Sequence, residues 1–213
     1  MILSAGSFGC NFACPFCQNH EISKNVPKTS IITPAALVEK ALACREEGNI
    51  GIAYTYNEPI VWYEFVKETA ELAHSENLLN VLVTNGYIEP APLRALLPHI
   101  AAMNIDIKGD EAFYRELCGG RRRTVLNTME AAFAAGCHVE ATTLLVSGWN
   151  DNRETVDEIA REIAAVSDEI PLHLSRFFPR YRMADAPPTS VAFVYEAVSA
   201  AKAHLKYVYP GNI

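Results

Sequence analysis

Three cysteines, Cys10, Cys14 and Cys17, fall within eight positions in the segment Gly9-Cys10-Asn11-Phe12-Ala13-Cys14-Pro15-Phe16-Cys17-Gln18-Asn19. Their spacing is C-x3-C-x2-C. On so short a loop three thiolates can converge on one soft metal centre, because Gly9 and Pro15 bend the backbone between them. Three chemistries use such a set. With His20, three residues after Cys17, the loop could close a Cys3His zinc site, although structural zinc usually rescues small domains and this chain has 213 residues. A thiol redox loop of the C-x-x-C kind would leave one cysteine surplus. An iron–sulfur cluster held by only three cysteines leaves one iron without a protein thiolate, and an open metal position is where chemistry happens. Cys44, Cys118 and Cys137 are scattered through apolar surroundings and read as small buried side chains.

The loop needs a scaffold, and strand-like and helix-like segments alternate along the whole chain, the pattern of parallel βαβ units. Strands are expected at Ile2 to Phe8, Gly51 to Tyr56, Leu79 to Thr84, Ala101 to Ile107, His138 to Val146 and Pro171 to Phe177. Between them, Thr33 caps a helix with Pro34 in its first turn and Leu37, Val38, Ala41 and Leu42 on one face, stopped by Gly48. Trp62, Phe65, Val66, Thr69, Leu72 and Ala73 mark an amphipathic second helix. Further helices are expected from about Pro92 to Pro98, from about Val125 to Ala135 before Gly136, and after a capping box of Asp151 with Glu154; Val191 to Leu205 closes the chain. Six units are too few for a complete eight-fold barrel, which needs about 250 residues. The expected fold is therefore α/β, a partial (β/α)6 TIM-like barrel of parallel strands in a single domain, residues 1–213. A doubly wound sheet is the alternative.

Barrel active sites sit at the C-terminal ends of strands, and polar residues gather there. The second strand ends in Thr55-Tyr56-Asn57-Glu58-Pro59 and the third in Thr84-Asn85-Gly86. The fourth carries Asp106 and Lys108, the fifth ends in Gly148-Trp149-Asn150-Asp151, and the sixth carries His173, Ser175 and Arg176. Singly, each has a plain structural use. Asn57 and Asn85-Gly86 suit turns, Glu58 suits a first helical turn, and Asn150-Asp151 suits a helix cap. Asp106 interrupts an apolar run, where a buried carboxylate needs a partner; Lys108, two positions on, shares its face and could be that partner.

The cysteine spacing, with aromatic Phe16 before the last cysteine, resembles the signature loop of the radical S-adenosylmethionine (radical SAM) superfamily. The resemblance implies a [4Fe–4S] cluster on Cys10, Cys14 and Cys17, its open iron chelated by S-adenosylmethionine. Reductive cleavage then yields a 5′-deoxyadenosyl radical that takes a hydrogen atom from the substrate. Asn57-Glu58-Pro59 resembles the superfamily's Gly-Gly-Glu-Pro segment, which assigns Glu58 to the SAM amino group; Tyr56-Asn57 replaces the glycine pair. Thr84-Asn85-Gly86 and Asp106-Ile107-Lys108 resemble segments of the glycyl-radical-enzyme activating enzymes, typified by the activator of pyruvate formate-lyase. Tyr54 to Pro59, Cys118-Gly119-Gly120, His173 to Phe177 and Tyr207 to Asn212 resemble the branch called pyruvate formate-lyase-activating-like or AmmeMemoRadiSam. On this resemblance Asn57, Glu58, Thr84, Asn85 and Asp106 form the cofactor-binding set, and Lys108, His173 and Arg176 face the substrate. The scattered remaining cysteines imply a single cluster. The implied partners are a glycyl radical enzyme or another protein substrate and a flavodoxin- or ferredoxin-type electron donor. Only nine residues precede Cys10, fewer than in many relatives, so the site is expected to lack an N-terminal cover.

Composition narrows the partners. With 18 Lys and Arg against 25 Asp and Glu, the net charge is −7, which argues against a general nucleic-acid binder. Arg121-Arg122-Arg123 reads as a solvated face; Arg176, Arg180 and Arg182 could hold an anion or form a basic edge, and Phe177-Phe178 reads as core. No apolar run is long enough for a membrane span, and Met1-Ile2-Leu3-Ser4 lacks a signal peptide's basic segment, so a cytoplasmic location without membrane partners is expected.

Overall fold

The computed structural model describes all 213 residues. Seven strands, β1 (Leu3–Ala5), β2 (Gly51–Tyr54), β3 (Leu79–Thr84), β4 (Ala102–Asp106), β5 (His138–Leu145), β6 (Leu172–Arg176) and β7 (Val208–Gly211), pair in chain order into one wholly parallel sheet. A doubly wound sheet reverses strand order at a switch point; here the order never reverses, which leaves the barrel wall. β7 does not pair with β1, so the barrel is partial and open at one side.

Eight α-helices accompany the strands: α1 (His20–Ser23), α2 (Pro34–Ala43), α3 (Tyr63–Ser75), α4 (Pro90–Leu96), α5 (Glu111–Phe113), α6 (Arg122–Ala134), α7 (Arg153–Val166) and α8 (Val191–Ala201). Thr33 caps α2 by accepting from the Ala36 amide at 3.2 Å, and Leu37, Val38 and Ala41 face the core. Alternation along β5 shows how the layers divide. Val139, Ala141, Thr143 and Leu145 are buried, whereas Glu140, Thr142 and Leu144 are half-buried. A parallel strand covered on both faces is apolar throughout; this one is covered on one. The inner face consequently forms a trough, in which Leu79 remains 48% and Val83 37% exposed. None of the helices is long and apolar enough to cross a membrane.

All six expected strands occur in order, the first of them shorter than expected. β7 is an addition: it is four residues long and contains Pro210, which a sheet edge tolerates because one side of an edge strand needs no donor. The segment between β4 and α6 is also more structured than expected. Asp110 caps α5 by accepting from the Phe113 amide at 2.7 Å, and a π-helical turn, Tyr114–Cys118, follows. The cap of α7 is Asn152, which accepts from the Thr155 amide at 2.9 Å, while Asp151 accepts from the Gly148 amide at 2.7 Å. The N-cap is therefore Asn152, one residue beyond the expected Asp151, and the cap pairs it with Thr155 rather than Glu154. Leu72 is exposed, on the rim of the apolar stripe of α3.

Candidate active site

The cysteine loop runs from β1 to α1 across the C-terminal ends of the strands. Two buried aromatic rings pin it: Phe12 lies 5.0 Å from the Tyr87 ring and 5.9 Å from that of Tyr114, and Phe16 lies 5.4 Å from that of Phe113. Backbone bonds add to the hold, from the Gly9 amide to Ile22 O at 2.9 Å and from the Ala13 amide to Cys118 O at 2.8 Å. Gly9 has φ +91°, a turn that a side chain would strain. Gly120 leaves room for the Phe12 ring, which a Cβ there would meet at 2.4 Å.

Pinned this way, Cys10, Cys14 and Cys17 line one cavity of about 350 Å³, together with Glu58, Thr84, Asn85, Asp106 and Lys108. All three are free thiols. The neighbouring Cys118 thiol, with help from the Lys108 ammonium, lowers the pKa of Cys14, while burial raises that of Cys10. The side chains are not gathered as a single ion would require. The His20 ring stacks on that of Tyr181, 4.8 Å between centroids at 20°. The mononuclear Cys3His arrangement is thus not what the loop builds. Cys10, Cys14 and Cys17, lining one cavity, would hold an iron–sulfur cluster through three thiolates and leave one iron open to a further ligand.

Glu58 follows β2 and is 3% exposed. Its Oε1 accepts from Thr84 Oγ1 at 2.7 Å and the Ile60 amide at 3.1 Å, and its Oε2 accepts from the Asn85 amide at 2.8 Å. Burial outweighs these donors and pushes its pKa up to about 7. The bond to Ile60 also caps a 3-10 turn at Pro59–Trp62, so the first-turn use and the place in the cavity coexist. Asn57 braces the cysteine loop, accepting from the Ser7 amide at 2.8 Å and donating to Gly9 O at 3.1 Å. The Asn85 amide group donates to Asn11 Oδ1 at 2.7 Å and lies 3.7 Å from Cys10 Sγ. Lys108 Nζ pairs with Asp106 Oδ2 at 2.7 Å, within the cavity wall. Burial opposes the Lys108 charge, yet Asp106 and Cys14 hold its pKa well above the ordinary value.

Two expected residues lie elsewhere. His173 is on the inner face but outside the cavity wall; its Nε2 meets Glu140 Oε2 at 2.8 Å and its ring stacks 5.5 Å from that of Tyr209. Arg176 turns away, donating through Nε to Thr189 O at 2.7 Å, with its guanidinium 4.7 Å from the Phe178 ring centre. The Arg182 guanidinium lies over Tyr181, Phe177 is buried and Phe178 is exposed. Asn150 is no cap: it is buried and donates to Lys108 O and Leu144 O, tying the loop after β5 to the end of β4. Arg122, read as solvated, is buried and bridges α6 to α7 through Glu158 and Glu162. Ser23, Thr142, Ser175 and Asn212 also line the cavity. Of these only Ser175, at a strand end, carries a sign in the sequence that it belongs to the cavity.

A family model described as the radical SAM superfamily matches residues 6–163. The chain belongs to this superfamily. Its members use a [4Fe–4S] cluster and S-adenosylmethionine, and the three thiols and the cavity beside them fit that pair. The chain is 42% identical over 220 residues to the uncharacterized protein MJ0808 of Methanocaldococcus jannaschii, covering all of this chain and 64% of that protein. It is 30% identical over 179 residues to a GTP 3′,8-cyclase of Peptoclostridium acidaminophilum, covering 80% of this chain and 53% of that protein. It therefore spans roughly half to two thirds of these relatives' lengths. Among solved structures, Streptococcus suis SuiB bound to S-adenosylmethionine superposes over 100% of this chain and 51% of its own, with TM-score 0.74 and 11% identity. A domain of pyruvate-formate lyase-activating enzyme from Bacteroides vulgatus covers 76% of this chain and 99% of its own, with TM-score 0.65 and 13% identity. At such identities these structures share the fold.

Proposed function

We propose that this radical SAM chain acts on a glycine of another protein, in the manner of an activating enzyme. The observation that supports this is the open trough. Leu79 and Val83 on one wall and Tyr209 on the other are exposed, and no strand closes β7 onto β1. A polypeptide loop can enter such a trough from the side. Bound there, the cluster and S-adenosylmethionine supply a carbon radical able to take a hydrogen atom. Cys10, Cys14 and Cys17 hold the cluster. Glu58, Thr84, Asn85 and Asp106 place the methionine end of the cofactor, with Asn57 acting through the loop it braces. Lys108 faces the substrate from the cavity wall, and His173, one layer deeper on the inner face, lines the approach. A flavodoxin- or ferredoxin-type donor supplies the electron.

A second reading, transformation of a small metabolite, is supported by the relatives named GTP 3′,8-cyclase. Deuterium transfer separates the two. With a candidate partner protein deuterated at glycine Cα, the reduced enzyme is expected to yield deuterated 5′-deoxyadenosine. Deuterium arriving only from labelled nucleotides would overturn the protein-substrate reading and favour the second.

A further inference from the structure

Ser23 ends α1, is 6% exposed, and lines the cavity. Its Oγ lies 3.2 Å from Cys17 Sγ and has no other hydrogen-bond partner. A serine in a helix more often bonds back to a carbonyl of its own preceding turn; this one turns to sulfur instead. Its place is fixed by the loop itself, since the Ser23 amide donates to Asn19 O at 2.9 Å and the Gly9 amide, beside Cys10, donates to Ile22 O at 2.9 Å. The other ligands are served differently. Cys10 has the Phe12 amide at 3.4 Å and the Asn85 amide group at 3.7 Å, whereas Cys14 lies near the Lys108 charge.

We propose that Ser23 is a positioning residue that tunes the reduction potential of the cluster through Cys17. A cysteine bound to iron is a thiolate without a proton, so the hydroxyl must be the donor in this contact. Reduction adds one electron, taken from a low-potential donor, to the cluster and its ligands; no proton moves and Ser23 keeps its own. The added negative charge spreads onto the thiolates. An O–H donor to Cys17 thus stabilises the reduced form more than the oxidised form and raises the potential. The hydroxyl makes reduction easier at the cluster whose electron must cleave the cofactor.

The test is an EPR-monitored reductive titration of reconstituted protein without S-adenosylmethionine or substrate, so that its outcome is independent of which substrate is used. Ser23→Thr keeps the hydroxyl and Ser23→Val has the same shape without it. The Val variant should be harder to reduce by about threefold to tenfold in the equilibrium constant, tenfold being about 59 mV for one electron, with the Thr variant close to the native protein. Ser23→Ala serves as the comparison if the branched pair will not pack. Equal potentials in the native protein and in the Val or Ala variant, at equal iron content, would overturn the proposal. Should both lose their iron, the native reduced protein in D2O decides: pulsed ENDOR should show a hydroxyl deuteron coupled to the cluster, and its absence would likewise overturn it.

Discussion

Burial leaves Glu58 protonated to an unusual pH, and that leaves a thermodynamic trace in the iron-free protein. Its carboxyl moves from an ordinary pKa of 4.5 to about 7. A group that holds its proton more tightly when folded adds stability that is fully present below pH 4.5 and lost as pH rises towards 7, because the folded state then binds more protons than the unfolded chain. Two and a half pH units at about 1.4 kcal/mol each set the full effect at about 3.5 kcal/mol, of which about 3 kcal/mol is lost between pH 4.5 and 7.5. At 3% exposure there is little solvent to screen the effect. The perturbation is Glu58→Gln, which cannot titrate. Urea unfolding of both proteins, iron-free and reduced, at pH 4.5, 5.5, 6.5 and 7.5 gives the difference at each pH, which cancels the titration of every shared group. The variant starts with a penalty, since the NH2 group of the introduced glutamine meets the Asn85 amide from which Glu58 Oε2 accepts. The native protein's advantage should then shrink by about 3 kcal/mol across the range. A flat difference, or an advantage that grows with pH, would mean that the donors from Thr84, Asn85 and Ile60 outweigh burial and that the carboxyl is not raised.

Cys14→Ala should leave the fold intact by circular dichroism but prevent retention of a cluster, read as iron and sulfide per chain. Gly120→Ala places a methyl group 2.4 Å from the Phe12 ring; it should cost about 1–3 kcal/mol in urea unfolding and weaken iron retention by shifting the cysteine loop. Arg122→Ala removes the buried cation between Glu158 and Glu162, whose own carboxylates reach solvent; it should cost about 1–2 kcal/mol, mostly in lost packing, with iron content per folded chain unchanged.

What can be read from the sequence is local. The cysteine spacing is a loop property, and Asp106 and Lys108 share a strand face through the two-residue period, meeting at 2.7 Å. The same period puts His173 on the inner face, but its depth depends on register: Ser175, two residues on, reaches the cavity, while His173 meets Glu140 below it. Arg176 lies beyond such reasoning because its partner, Thr189 O, comes from the loop leading into α8. Arg122 defeats it because a charge run carries no sign of which residue the helix turns inward. Thr142, Asn212 and Ser23 are single polar residues without a motif, brought together only by the sheet and by α1. β7 is hidden by its length and by Pro210.

If Cys10, Cys14 and Cys17 hold a cluster with one iron left open for S-adenosylmethionine, anaerobic reconstitution with iron and sulfide, reduction with dithionite and addition of S-adenosylmethionine will show it. Four irons and four sulfides per chain are expected, with 5′-deoxyadenosine and methionine appearing in equal amounts. A colourless protein holding one zinc per chain and releasing no 5′-deoxyadenosine would contradict it.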